Sequence, residues 1–207
     1  EVLREAELAY TEGRAVWDID PSRSVLLIID MEDEFVKPGS SVHWIPDAYR
    51  QVPKIKLLIE ACRSQDVPII FTCCIYHPEG YDAGLIPEVP MGMARAGMDE
   101  LFREVDIFEE LSPQSDDVII VKQTYNAFFN TNLEHTLRGM GRDTLIICGT
   151  MTNYCCGATA RDGFFRGFRI VFGSDVNATD DPSLHEAELK TLRRGYALVL
   201  SCDEIVE

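Results

Sequence analysis

Positive charge is scarce in this chain. Nineteen Lys and Arg stand against thirty-five Asp and Glu, giving a formal net charge of −16 at neutral pH. Such a surface repels phosphate backbones and anionic lipid, so neither nucleic acid nor a membrane is an expected partner. Long apolar runs are also missing; the longest are strand-sized, well short of the roughly 20 residues that span a bilayer. Seven cysteines are present, an odd number without C-x-x-C spacing, which excludes a disulfide framework and a zinc ribbon. Reduced thiols and a cytoplasmic location are the expectation. There is no G-x-G-x-x-G and no P-loop, so a nucleotide-binding module has little support. No secretory leader is visible, and a start at Glu1 instead of Met points to a trimmed or incomplete N-terminus. Repeats, low-complexity tracts and linkers are absent too, and residues 1–207 read as one domain.

What is present is a regular alternation. Ser24–Asp30, Val67–Cys74, Asp117–Lys122, Thr144–Gly149, Arg169–Phe172 and Ala197–Ser201 are short apolar runs rich in β-branched residues. Their continuous apolarity suits strands of a parallel sheet covered on both faces. Helical patterns lie between them, around Val52–Gln65, Ala94–Phe108, Thr131–Gly139, Asn153–Arg166 and Ser183–Arg194. Strand alternating with helix predicts an α/β fold, a doubly wound (Rossmann-like) αβα sandwich on a six-stranded, mostly parallel sheet. The stretch Tyr76–Met98, with its prolines, glycines and methionines, is too long for a plain connector. It is either a lid or pocket wall, or a surface excursion without a role.

Ligands of open α/β sheets bind outside the carboxyl ends of the strands. That rule gathers Asp30 at the end of the first strand, Lys122 at the end of the third, and the double-cysteine turn after the fourth. Strand-terminal charges are common and usually solvated. An acid, a base and a thiol at one sheet edge are a stronger signal than any of them alone.

The turn reads GTMTNYCCGATARDG, from Gly149 to Gly163. Neighbouring helical residues point about 100° apart. A helix from about Asn153 puts Cys156, Ala160, Gly163, Phe164 and Gly167 on one apolar side, and Cys155 on another with Thr159, Asp162 and Arg166. Cys156 therefore reads as packing and Cys155 as the thiol that faces the crevice. A helix N-terminus and a nearby lysine both favour the thiolate, so a pKa below the usual value of about 8.5 is expected for Cys155.

Over nearly its whole length the chain resembles the isochorismatase-like cysteine hydrolases. The resemblance is carried by IIDMEDEF with Asp30, VIIVKQTYNAFFNTNL with Lys122, and GTMTNYCCGATARDGFFRGF with Cys155. It implies Cys155 as nucleophile, Asp30 as acid and base, and Lys122 as activator. It also implies a cis peptide between Thr150 and Met151 that turns the N–H groups of Met151 and Cys155 toward an oxyanion. The implied reaction is hydrolysis of a C–N bond through a thioester at Cys155, with no metal and no cofactor. Dimers or tetramers of the chain itself are the assembly the resemblance implies.

Nicotinamidases of the family carry an Asp-x-His…His metal cluster after the second strand; here that region reads CCIYHPEG, with His77 alone. The segments IFTCCIYHPEGYDAG and Tyr125–Thr131 look most like N-carbamoylsarcosine and ureidoacrylate amidohydrolases, implying a small amide or ureido substrate. Phe35, Trp44, Tyr76, His77, Tyr125, Asn126 and Phe128 are the candidate pocket residues, with Asn126 offering an amide. Each aromatic has the alternative of being a core residue, and His77 that of a surface position. Subgroup substrates carry a carboxylate, for which Arg95 and Arg161 are the cations to consider. Competing readings are a vinyl-ether hydrolase of the isochorismatase type, a nicotinamidase-like enzyme, and a Cys–His hydrolase. For the last, none of His43, His77, His135 or His185 ends a strand beside the turn.

Overall fold

The computed structural model describes residues 1–11, 15–89, 106–111 and 113–207, with the backbone alone for 7–11. Six strands form one sheet: β1 (Ser24–Ile29), β2 (Ile69–Cys74), β3 (Val118–Lys122), β4 (Thr144–Thr150), β5 (Arg169–Ala178) and β6 (Leu198–Leu200). Their order is β3-β2-β1-β4-β5-β6 and every pair is parallel. The sheet is doubly wound, and the expected "mostly parallel" becomes wholly parallel. The helices are α1 (Val2–Thr11), α2 (Asp33–Val36), α3 (Pro46–Ser64), α4 (Leu133–Gly139), α5 (Gly157–Phe165), α6 (Pro182–Gly195) and α7 (Cys202–Val206).

The continuous apolarity of β1 has a direct cause, since all six of its positions are buried. Leu26 and Ile28 belong to the core on one face with Val52, Ile55 and Leu58 of α3, while Val25, Leu27 and Ile29 belong to the core on the other with Leu133 and Leu137 of α4 and Leu189 and Leu192 of α6. A fully buried Val, Leu or Ile is worth roughly 1.5–3 kcal/mol, so a strand covered on both faces anchors the fold.

Three elements depart from the sequence reading. The helix expected from Val52 begins at Pro46, where a missing N–H costs nothing in the first turn. Pro53 lies inside that helix on an exposed position, where water can reach the carbonyl it leaves unpaired. β5 runs past Phe172 to Ala178, across a register shift opposite Ile147 and Gly149. The Asn177 amide repairs that irregularity, donating to the Ile147 and Gly173 carbonyls at 2.9 and 2.6 Å. The expected helix Ala94–Phe108 falls almost wholly outside the described residues, as does the end of the Tyr76–Met98 segment. Among the described residues no helix is long and apolar enough to cross a membrane.

β1 and β4 are neighbours, although the chain passes through β2 and β3 between them. The connections therefore leave these two strands in opposite directions, and a crevice opens at their carboxyl ends.

Candidate active site at the carboxyl edge of the sheet

Asp30 is the first residue beyond β1 and adopts a left-handed conformation, φ 48°, which Asp tolerates better than most residues. Its side chain is completely buried. The Thr72 hydroxyl of β2 accepts the Asp30 N–H at 3.2 Å and donates to Asp30 Oδ1 at 2.6 Å. The Thr150 hydroxyl of β4 donates to the Asp30 carbonyl at 2.7 Å. Opposite Ile29 stands Gly149, with φ 127°, where a Cβ would collide with the Ile29 carbonyl oxygen. Only glycine lets the two strands approach so closely at this edge.

Lys122 ends β3 and is also fully buried. Its ammonium is ion-paired with Asp30 Oδ2 at 2.6 Å and donates to the Thr124 carbonyl at 2.9 Å and to Cys155 Sγ at 3.5 Å. Burial alone would pull its pKa down; the Asp30 charge and then Cys155 outweigh that and hold it well above the ordinary lysine value. The three complementary groups that the sequence scatters over 126 positions, from Asp30 to Cys155, are thus in direct contact.

The turn that carries Cys155 differs from the expected one. Thr152–Cys156 is a π-helical turn, and α5 starts only at Gly157. The Met151 carbonyl accepts both the Tyr154 and Cys156 N–H groups, at 3.1 and 3.2 Å. Thr150–Met151 is a cis peptide. The apolar side is only partly the one predicted. Cys156, Ala160 and Gly163 are buried against the sheet as expected, but Phe164 and Gly167 are exposed. Thr159, placed on the polar side, is fully buried and accepts the Ala127 N–H at 2.9 Å.

The expected depression of the Cys155 pKa is also corrected. Burial pushes the thiol well above its usual value; Lys122 pulls it back without cancelling, and Asp30 pushes it further up. The resting form is the thiol, and a thiolate needs Lys122 and the removal of a proton together.

The pocket candidates separate into three groups. Tyr76 is buried with its hydroxyl 3.2 Å from Cys74 Sγ, and Tyr125 packs against Tyr154 at 5.5 Å between ring centroids. A cleft of about 550 Å³ is lined by Tyr125 with Ala83, Leu85, Ile86, Val89, Thr124 and Phe129, but not by Asp30, Lys122 or Cys155. A second cavity, of about 620 Å³, lies among Trp17, Leu58, Ile146 and Leu198 and is likewise not lined by those three residues.

The second group stands elsewhere. Phe35 joins the core beneath α3, and Trp44 donates its indole N–H to the Val36 carbonyl at 3.2 Å. Phe128 is a core aromatic stacked on Phe168. His77 is an exposed residue that accepts the Glu79 N–H and stacks on Tyr81.

The third group is chemically committed. The Asn126 amide donates to Asp162 at 2.6 Å and its oxygen accepts the Phe128 N–H, which leaves it bracing a loop instead of offering an amide. Arg161 forms a two-pronged pair with Glu188 and lies over Tyr196, so it is no carboxylate clamp. Arg95 lies outside the described residues. Among the described residues no three His, Cys, Asp or Glu side chains group so as to hold a metal.

Sequence reasoning missed Thr72, Thr150 and Glu32. The first two had a visible signal, a polar residue interrupting an apolar strand; Glu32 had only its spacing from Asp30. Glu32 is fully buried and accepts the Cys74 N–H at 2.6 Å.

Known proteins share this fold. The chain is 32% identical to nicotinamidase 3 of Arabidopsis thaliana over 190 residues, 90% of this chain and 89% of that protein. A cysteine hydrolase from Pseudomonas syringae pv. phaseolicola superposes with a TM-score of 0.86 at 30% identity, covering 95% of this chain and 96% of the other. N-carbamoylsarcosine amidase from Thermoplasma acidophilum gives 0.71 at 27% identity, with 88% and 98% covered. The model of the isochorismatase domain matches residues 24–204, from the first residue of β1 into α7. With every strand of the sheet inside that match, the chain belongs to the isochorismatase family.

Proposed function

We propose that this family hydrolase is a cysteine-dependent amidohydrolase that cleaves a small amide or N-carbamoyl compound and releases ammonia. The observation that carries the reading is Lys122, whose ammonium touches both Asp30 and Cys155 in a space closed to solvent. A carboxylate to take a proton, a cation to hold a thiolate and a thiol to attack are the groups that nucleophilic amide cleavage requires. Two of the similar proteins, a nicotinamidase and an N-carbamoylsarcosine amidase, bear names of amide-cleaving enzymes.

In this reading Asp30 takes the Cys155 proton as Sγ bonds to the substrate carbonyl carbon. The carbonyl electron pair moves onto oxygen, and the Met151 and Cys155 N–H groups hold the oxyanion. Such a donor contributes about 10²–10³ in rate. The C–N bond then breaks as Asp30 returns the proton to nitrogen, leaving a thioester and ammonia. Water, deprotonated by Asp30, attacks the thioester and regenerates the thiol. Lys122 stays charged throughout and offsets first the Asp30 carboxylate and then the thiolate.

An ammonia-release screen tests this with nicotinamide, N-carbamoyl amino acids, ureidoacrylate, maleamate and biuret. Turnover of at least one, abolished in Cys155→Ala, is expected. Silence on all of them together with cleavage of isochorismate would overturn the proposal.

A further inference from the structure

The mechanism leaves one buried acid without a task. Glu32 has a single donor on Oε1, the Cys74 N–H, and among the described residues its buried Oε2 has no hydrogen-bond partner. Among the described residues Lys122 is the cation that acts on Glu32. Lys122, however, forms its ion pair with Asp30 and gives its hydrogen bonds to Thr124 and Cys155, and no ion pair within 4 Å joins it to Glu32. The Thr72 hydroxyl is committed to Asp30 as well. Among the described residues the other ionisable groups facing Glu32 are Asp30, Glu34, Cys73 and Cys74, none of which brings positive charge. An ionised Glu32 would be a second buried anion beside a cation that Asp30 already neutralises. Uncompensated charge in such a place is among the costliest features a protein can hold. A neutral acid carries its own donor and needs only an acceptor, which a neighbouring carboxylate supplies.

We propose that Glu32 is a protonated carboxylic acid in the resting protein, a positioning residue whose O–H is directed at Asp30 and holds it as the ionised partner of Lys122. The direction of its titration agrees, since burial and then Asp30 push Glu32 well above the usual carboxyl range, against the weaker pull of Lys122 and the Cys74 N–H. In the reaction its proton stays in place and the Cys155 proton is the one that moves. The assignment rests on the placement of these groups and not on the substrate, so it can fail while the amidohydrolase reading stands, and the reverse.

Infrared spectroscopy of the full chain at neutral pH tests it. A carbonyl band of a protonated carboxylic acid is expected, shifted by ¹³C-glutamate labelling of the unsubstituted protein and lost in Glu32→Gln. Glu32→Asp, which keeps an acid, moves the band out of the glutamate label. No label-sensitive band in the unsubstituted protein overturns the proposal, as does a band that survives in Glu32→Gln. A second reading follows Cys155 alkylation against pH by mass spectrometry. Glu32→Gln exchanges one neutral group for another, and the alkylation midpoint is expected to stay where it was. If Glu32 were ionised, removing its charge would lower the midpoint by about one pH unit or more, overturning the proposal. Should either variant fail to fold, the labelled unsubstituted protein decides.

Discussion

Lys122 Nζ lies 2.6 Å from Asp30 Oδ2, and neither side chain is reached by solvent. Removing one member of such a pair leaves the other as a buried, unmatched charge. Lys122→Met and Asp30→Asn are each expected to lower unfolding stability by roughly 3–5 kcal/mol. The double variant should lose much less than the sum, because both charges go together. Urea unfolding of the three proteins measures this, and additive losses would show that the pair is not coupled.

The cysteine doublet should separate cleanly. Cys155→Ala removes the proposed nucleophile and is expected to abolish turnover. Cys156, fully buried in the core on the α4–α6 side of the sheet, carries no step of the mechanism. Cys156→Ala is expected to cost roughly 0.5–3 kcal/mol through packing while leaving kcat largely intact. Steady-state kinetics and thermal unfolding of both variants, run side by side, decide between the roles.

Burial raises the thiols as a group. Cys62 is pushed up to about 12 and Cys74 to about 11, with desolvation the largest cause in each. A folded pKa above the unfolded one means that the native state holds its proton longer. The associated stability is fully present below the unfolded value of about 8.5 and is lost as pH rises through the folded value. Chemical denaturation between about pH 8.5 and 11 should show stability falling by roughly 1.4 kcal/mol per pH unit for each thiol that stays protonated. A flat profile over that window would contradict the burial of these groups.

Gly149 is the tightest point of the site. A methyl group there meets the Ile29 carbonyl oxygen, on a backbone with φ 127° that side chains rarely adopt. Gly149→Ala is expected to cost about 4 kcal/mol or more. Insoluble or molten protein is the predicted outcome of its expression, judged by near-UV circular dichroism.

Asn126 looks like a substrate contact in the sequence and is a brace in the structure. Asn126→Ala leaves the Phe128 N–H without a partner and removes one donor from Asp162, which Arg166 still holds, and a loss of roughly 1–3 kcal/mol in stability follows. KM for any substrate found should change little. A large rise in KM with unchanged stability would return Asn126 to the pocket.

Periodicity carried the sheet. Six apolar runs bounded by turn residues can be covered only from both sides, and the alternation of strand with helix then permits few arrangements. Asp30, Lys122 and Cys155 were legible for the same reason, because each ends or follows a strand and the carboxyl edge brings such positions together. The turn after β4 was not legible in detail. A π turn and an α turn share the same composition at GTMTNYCC, and only the packing of Thr159 and Cys156 selects the phase of α5.

What the sequence determined by itself was therefore the class of fold and which three side chains meet at the sheet edge, since both follow from spacing along the chain. What the tertiary structure decided was the state of those side chains. Solvent exclusion holds Cys155 as a thiol and joins Lys122 to Asp30, and it leaves Glu32 with one backbone donor. Burial is a property of everything that packs around a residue, and no local pattern records it.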